Sequence, residues 1–184
     1  MTAPPSSGGR GPHIVLVGLP GAGKTTVGRL LAEMLDCPFV DFDAEIERRL
    51  GMPVAEIFRT LGETTFRDLE REITSEMAGL PGMVLAPGGG WMAQEGNVSL
   101  LRPPARLVHL VVPVDEALAR LGPDVALRPL LAGDAPAACL EALAASRMPL
   151  YSMADTEVST QMLAPQRIAR ELARLASGWG WQVG

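Results

Sequence analysis

Along the chain, short apolar runs alternate with longer segments in which apolar residues recur every three to four positions. Residues 13–17 (HIVLV) form a compact β-branched run, the pattern of a strand buried on both faces of a parallel sheet. Residues 25–35 (TTVGRLLAEML) carry helical spacing. The stretch 38–42 reads as a second short strand and 43–50 as a helix with Asp43 placed at its N-cap. Gly51 interrupts it, Pro53 opens a short helix to position 60, and Gly62 separates that from a helix running to about residue 78. A third strand at 83–86 runs into Pro87-Gly88-Gly89-Gly90, and a fourth spans 106–112 (RLVHLVV). Helices follow at 114–121 and 135–148, the latter predicted to stop before Pro149, then a last strand at 156–159 and a helix at 165–177 opened by proline. This alternation predicts an α/β three-layer sandwich: a five-stranded parallel sheet with right-handed crossovers and helices on both faces.

Composition bounds the function. At 184 residues the chain fits one domain, assigned to 13–178 and containing a Gly/Pro-bearing lid at about 122–135. Residues 1–12 are small and polar and read as a disordered extension without a secretory signal, and 179–184 as a tail. No apolar run approaches the ~18 residues a membrane span requires. Cys37 and Cys139 lie outside any metal-type spacing and read as small buried hydrophobes in a reducing compartment. A soluble, cytoplasmic monomer is expected. The net charge of −5 argues against nucleic acid as the main partner, so a phosphate-handling site must concentrate positive charge locally.

The first candidate for that site is Gly18-Leu19-Pro20-Gly21-Ala22-Gly23-Lys24-Thr25-Thr26, a P-loop placed between a strand and a helix, and Lys24 is the single lysine among 16 basic residues. The N–H groups of Gly21, Ala22, Gly23, Lys24, Thr25 and Thr26 are expected to meet nucleotide phosphates at a helix N-terminus. Lys24 would bridge the β- and γ-phosphates and the Thr25 hydroxyl would ligate Mg²⁺. A compact ammonium fits between phosphate oxygens where a planar guanidinium does not.

Asp41 and Asp43 flank Phe42 at the carboxyl end of the second strand, where ligands of open parallel sheets bind. One would hold Mg²⁺ through water and the other accept a hydrogen bond from a substrate hydroxyl. Gly88-Gly89-Gly90 permits close backbone approach to a ligand. Arg67, Arg128 and Arg147 are the arginines singled out, Arg128 within the lid. His13 and His109 lie in or beside strands and are read as core histidines. Trp91 is placed either against a substrate ring or in the core, and Trp179 and Trp181 either folded back on the surface or at a partner contact.

Taken in order, these residues resemble the shikimate kinases, small P-loop kinases of the nucleoside-monophosphate-kinase-like fold. The resemblance covers about residues 13–175. It rests on GLPGAGKTT, Asp41-Phe42-Asp43, Gly62-Glu63-Thr64-Thr65-Phe66-Arg67, the triple glycine, Arg128-Pro129-Leu130-Leu131 and Arg147-Met148-Pro149-Leu150-Tyr151. It implies ATP-dependent phosphorylation of shikimate at its 3-hydroxyl, with Mg²⁺, in chorismate and aromatic amino-acid biosynthesis. It further implies that Arg67 and Arg147 grip the substrate carboxylate, that Asp43 and the Gly88, Gly89 and Gly90 backbone bind the ring side, and that Arg128 closes over the ATP phosphates. Thr25 and Asp41 look like the metal-side residues, and Lys24, Asp43 and Arg128 the catalytic ones. The segment 160–165 (TQMLAP) is assigned no site residue, and 121–127 has no second arginine ahead of Arg128. The rival readings are another small-metabolite kinase of the same fold and a catalytically silent ligand-sensing domain.

Overall fold

The computed structural model describes residues 11–131 and 135–183. Five strands, β1 (Ile14–Val17), β2 (Phe39–Asp41), β3 (Val84–Ala86), β4 (Arg106–Val111) and β5 (Thr156–Ser159), form one parallel sheet in the order β2-β3-β1-β4-β5. Around it pack α1 (Lys24–Met34), α2 (Phe42–Leu50), α3 (Val54–Thr60), α4 (Gly62–Ala78), α5 (Asn97–Leu101), α6 (Val114–Leu121), α7 (Pro136–Tyr151) and α8 (Pro165–Ser177). Central β1 explains its own sequence: Ile14, Val15, Leu16 and Val17 are all buried, as the unbroken apolar run requires. The apolar stripe of α8 (Ile168, Leu172, Ala176, with Ala169 and Ala173) is buried, and α8 packs against α1.

Placing β1 between β3 and β4 puts the order reversal beside the P-loop. In such sheets the crevice at that switch point, beyond the strands' carboxyl ends, is where ligands sit. Here those ends deliver the P-loop from β1, Asp41 from β2, Pro87-Gly88-Gly89-Gly90 from β3 and Thr160 from β5. Residues 135–148 do not end before Pro149. Helix α7 continues through it to Tyr151: Pro149 lacks an N–H to bond, and beyond it Ser152 still donates to Met148 O at 3.0 Å. Arg147 therefore lies inside α7 rather than at its end.

The helix after β2 begins one residue earlier than its pattern suggested, and its N-cap is Asp41, not Asp43. Asp41 Oδ1 accepts from Ala44 N at 3.2 Å, while Asp43 stands in the first turn, turned to the crevice. Of the extension proposed at 1–12, residues 1–10 lie outside the described residues, as do 132–134 of the proposed lid and residue 184 of the tail. The described lid residues wind as two 3₁₀ turns, Gly122–Leu127 and Pro129–Leu131. In the tail, Trp181 folds back and is buried, its Nε1 donating to Pro12 O at 3.0 Å. Cys37 and Cys139 are free thiols, and no helix among the described residues is long and apolar enough to cross a membrane.

Candidate active site

The P-loop leaves β1 and turns into α1 through glycines that side chains would obstruct. Gly23, the N-cap of α1, sits at φ +91°, and at Gly21 (φ +81°) a Cβ would lie 2.5 Å from the Ala117 carbonyl oxygen of α6. Within the loop Lys24 Nζ donates to Gly18 O at 3.0 Å and Leu19 O at 3.2 Å, and the Ala22 N–H folds back on Leu19 O at 3.1 Å. Burial of the ammonium pulls the Lys24 pKa down to about 8, against the opposing pull of Asp43 and Asp41. A desolvated cation whose hydrogen bonds go to two loop carbonyls is a site prepared for anionic oxygen.

Beside it, Thr25 Oγ1 donates to Asp41 Oδ2 at 2.5 Å. This hydroxyl–carboxylate pair joins α1 to the end of β2. Among the described residues no cluster of three or more His, Cys, Asp or Glu side chains could hold a metal by itself.

A cavity of about 460 Å³ runs from the P-loop past Asp41, Asp43, Gly88 and Arg128 to Arg120, Thr160, Leu163, Pro165 and Ile168. A smaller recess adjoins it, lined by Val54, Phe58, Phe66, Arg67, Gly90, Leu131 and Arg147. Pro20, Asp43, Gly88, Gly89 and Arg128 line both, so the two compartments share one wall.

The recess gathers its charges from distant segments. Arg67, on the first turns of α4, is held by Glu70 Oε2 at 2.5 Å and Glu63 Oε1 at 2.8 Å, and its guanidinium lies 5.3 Å from the Phe66 ring centroid. Arg147 is buried at 7% exposure, and its Nη1 has no hydrogen-bond acceptor among the described residues. A buried guanidinium nitrogen without an acceptor is costly unless an anion occupies the space before it. The triple glycine packs directly against these groups. A Cβ at Gly89 would lie 2.9 Å from Arg147 Nη1, one at Gly90 2.6 Å from Arg67 Nη2, and one at Gly88 2.6 Å from Glu70 Oε1. Side chains there would displace the charges, which is why glycine recurs.

Asp43 stands at the junction. Burial raises its pKa, as does neighbouring Asp41, while Arg128 and Lys24 oppose the rise. Arg128 Nη1 donates to Asp43 Oδ2 at 3.2 Å, so this exposed arginine reaches the wall between the compartments.

Gly21 to Thr26, Asp41, Asp43, Arg67, Gly88 to Gly90, Arg128 and Arg147 thus line two adjoining compartments, and the histidines do not. His13 is bonded to Met77 O and Met83 N in the core, and His109 is buried, bonded to Glu157 and stacked on Tyr151. Trp91 is fully buried, its Nε1 donating to Thr74 Oγ1 at 2.8 Å, and is core rather than a ring contact. Two residues escaped the sequence reading. Glu70 is fully buried behind Arg67, and burial raises its pKa to about 6 against the pull of Arg67. Its signal was a carboxylate interrupting the buried stripe of Phe66, Ile73 and Met77 on α4. Arg120, on the last turn of α6, lines the larger cavity and donates to Thr160 O at 2.6 Å. The segment 160–165, assigned no site residue, contributes Thr160, Leu163 and Pro165 to the cavity wall.

Comparison with known proteins agrees with this geometry. The sequence model of the family described as "Shikimate kinase" matches residues 20–176. The chain is 46% identical to the shikimate kinase of Thermobifida fusca over 89% of its length and 94% of the relative, and 42% identical to that of Moorella thermoacetica over 91% and 95%. Among solved structures it resembles the shikimate kinase from Acinetobacter baumannii in complex with shikimate (TM-score 0.86, 39% identity, 91% of this chain and 93% of that one). A gluconokinase from Sinorhizobium meliloti, at 20% identity and TM-score 0.55, shares the fold. With its P-loop, its arginine-lined recess and this similarity along nearly its full length, the chain belongs to the shikimate kinase family.

Proposed function

We propose that the chain transfers the γ-phosphoryl group of ATP to the 3-hydroxyl of shikimate, giving shikimate 3-phosphate and ADP, a step of aromatic amino-acid biosynthesis. The observation that carries this reading is the shared wall: Asp43, Gly88, Gly89 and Arg128 face both the P-loop cavity and the arginine-lined recess. An acceptor bound in the recess has its hydroxyl at the mouth of the phosphate site. The recess suits a small acid bearing hydroxyls, because Arg67 and Arg147 supply a cationic end for its carboxylate and Asp43 accepts from its hydroxyls.

Phosphoryl transfer through a loose, charged transition state leaves the protein two tasks, alignment and charge neutralisation. Lys24 exchanges the Gly18 and Leu19 carbonyls for phosphate oxygens. Arg128 leaves Asp43 for the transferring group, and this frees the Asp43 carboxylate to accept the acceptor's hydroxyl proton. Burial raises its pKa and so makes it a stronger proton acceptor than an ordinary exposed carboxylate. Glu70 and Glu63 hold Arg67 from behind. Thr25 and Asp41 would hold Mg²⁺, which when bound would supply charge neutralisation to the transferring phosphates. The 3₁₀ turns bearing Arg128 act as a lid that excludes water from the wall between the compartments.

Phosphorus NMR of a reaction containing the protein, Mg·ATP and shikimate tests this. A phosphomonoester resonance coupled to the ring proton at C3, growing in step with ADP, is expected. ADP formation without that ester would overturn the proposal.

A further inference from the structure

Among the described residues, four buried side-chain atoms have no hydrogen-bond partner: Glu70 Oε1, Asn97 Oδ1, Arg147 Nη1 and Tyr151 Oη. Two of these belong to α7. Arg147 and Tyr151 stand four residues apart and so share one face of the helix, and helical side chains lean toward the N-terminus, which carries the Tyr151 ring toward Arg147. Only Arg147 lines the recess; Tyr151 lies behind it. Burial pushes the Tyr151 pKa up, and the neighbouring guanidinium pulls it back, yet the geometry of a hydrogen bond between the two is not met. An unpaired donor and an unpaired hydroxyl are thus buried side by side, an arrangement that costs stability and that folded proteins rarely keep.

The Tyr151 ring is held in place. It stacks on His109 with centroids 4.5 Å apart and planes 24° apart, and His109 is itself buried in β4 and bonded to Glu157 Oε1 at 3.1 Å. The two recess arginines are therefore supported differently. Arg67 is gripped by the carboxylates of Glu63 and Glu70, which neutralise part of its charge. Arg147 has a neutral phenol beside it, which can orient a guanidinium and leave its full charge for a ligand.

We propose that Tyr151 is a positioning residue for the acceptor's carboxylate, acting through Arg147. When the acid enters, the guanidinium turns Nη1 to it, and the Tyr151 hydroxyl accepts an N–H from the edge that faces away. Two-point pairing with a carboxylate needs the guanidinium held in one plane, and a hydroxyl on a fixed ring supplies that hold. The bond missing from the free protein is the one that binding completes, so the hydroxyl contributes to affinity and not to folding. The inference rests on the reading of the recess as the acceptor site.

Calorimetric titration of the full chain with shikimate and with ADP, beside urea denaturation of the ligand-free protein, tests it. Tyr151→Phe keeps the ring and its stack and removes only the oxygen. It should weaken shikimate binding about tenfold, leave ADP affinity unchanged, and leave the denaturation midpoint at or above that of wild type. In an Arg147→Ala background the same substitution should alter shikimate affinity by less than about twofold, since the group it orients is gone. The proposal is overturned if Tyr151→Phe binds shikimate as wild type does, if its effect persists undiminished without Arg147, or if ADP affinity falls in step. A lowered midpoint for the ligand-free Tyr151→Phe protein would overturn it too, because the hydroxyl would then already be bonded in the fold. Failure of wild type to bind shikimate would instead overturn the assignment of the recess, and the role of Tyr151 with it.

Discussion

The two halves of the crevice are built by opposite means. The phosphate end is local: nine consecutive residues, Gly18 to Thr26, supply the loop, the cation and the helix N-terminus, and the strand before them is buried to the last residue. The acceptor end is assembled from Asp43, Arg67, Gly88 to Gly90, Arg128 and Arg147, carried by the start of α2, the start of α4, the β3 exit, the lid and α7. Its charges hold one another in place, Arg67 against Glu70 and Arg128 against Asp43. A local site tolerates change elsewhere in the fold. An assembled one depends on side chains that touch no ligand.

The sharpest break between the halves is Lys24→Met. It should lower turnover by roughly a thousandfold or more through loss of transition-state charge neutralisation, with the circular dichroism spectrum and shikimate affinity retained. Turnover within tenfold of wild type would refute the phosphate role. Arg147→Ala should do the converse, raising the KM for shikimate on the order of 100-fold while ADP affinity stays nearly intact. Equal loss of both affinities would show that the halves are not separate.

Glu70→Gln sharpens the comparison, since Glu70 holds Arg67 from behind. A rise of about tenfold in the KM for shikimate is expected, with little change in the KM for ATP. An unchanged shikimate KM would mean that Glu63 alone holds Arg67.

The pH dependence separates the halves again. Lys24 is protonated below about pH 8 in the free protein, so phosphate affinity is fully present there and falls as pH rises through that value. Since kcat/KM reports the free enzyme, kcat/KM for ATP should decline above about pH 8. A profile flat to pH 10 would place the Lys24 pKa near its ordinary value. The smallest effect belongs to the tail: Trp181→Phe removes the bond to Pro12 O and should lower stability by about 1 kcal/mol with activity unchanged, checked by denaturant titration.

The same contrast governs what could be read before any coordinates. The P-loop and the sheet were legible because each is written in adjacent residues with a distinctive period. Asp41 and Asp43 exchanged capping duty because they stand two residues apart, and which one caps depends on where β2 ends, which alternation alone does not fix. Pro149 was read as a helix stop, whereas α7 carries it inside its last turn, with Ser152 still bonded to Met148 O. Glu70 and Arg120 went unnoticed because each looks like one more charged residue on a helix. Their roles come from what the fold packs beside them, Arg67 and Gly88 in one case and Thr160 in the other. The order of motifs along the chain, rather than any one of them, drew the acceptor half together on paper.

The most direct test is the initial rate of ADP release by the purified protein with Mg·ATP, measured alone and with shikimate, quinate or gluconate. Strong stimulation by shikimate, with at most weak stimulation by the other two, is the result the shared wall predicts. Equal stimulation by gluconate, or none by shikimate while ADP still binds, would contradict it.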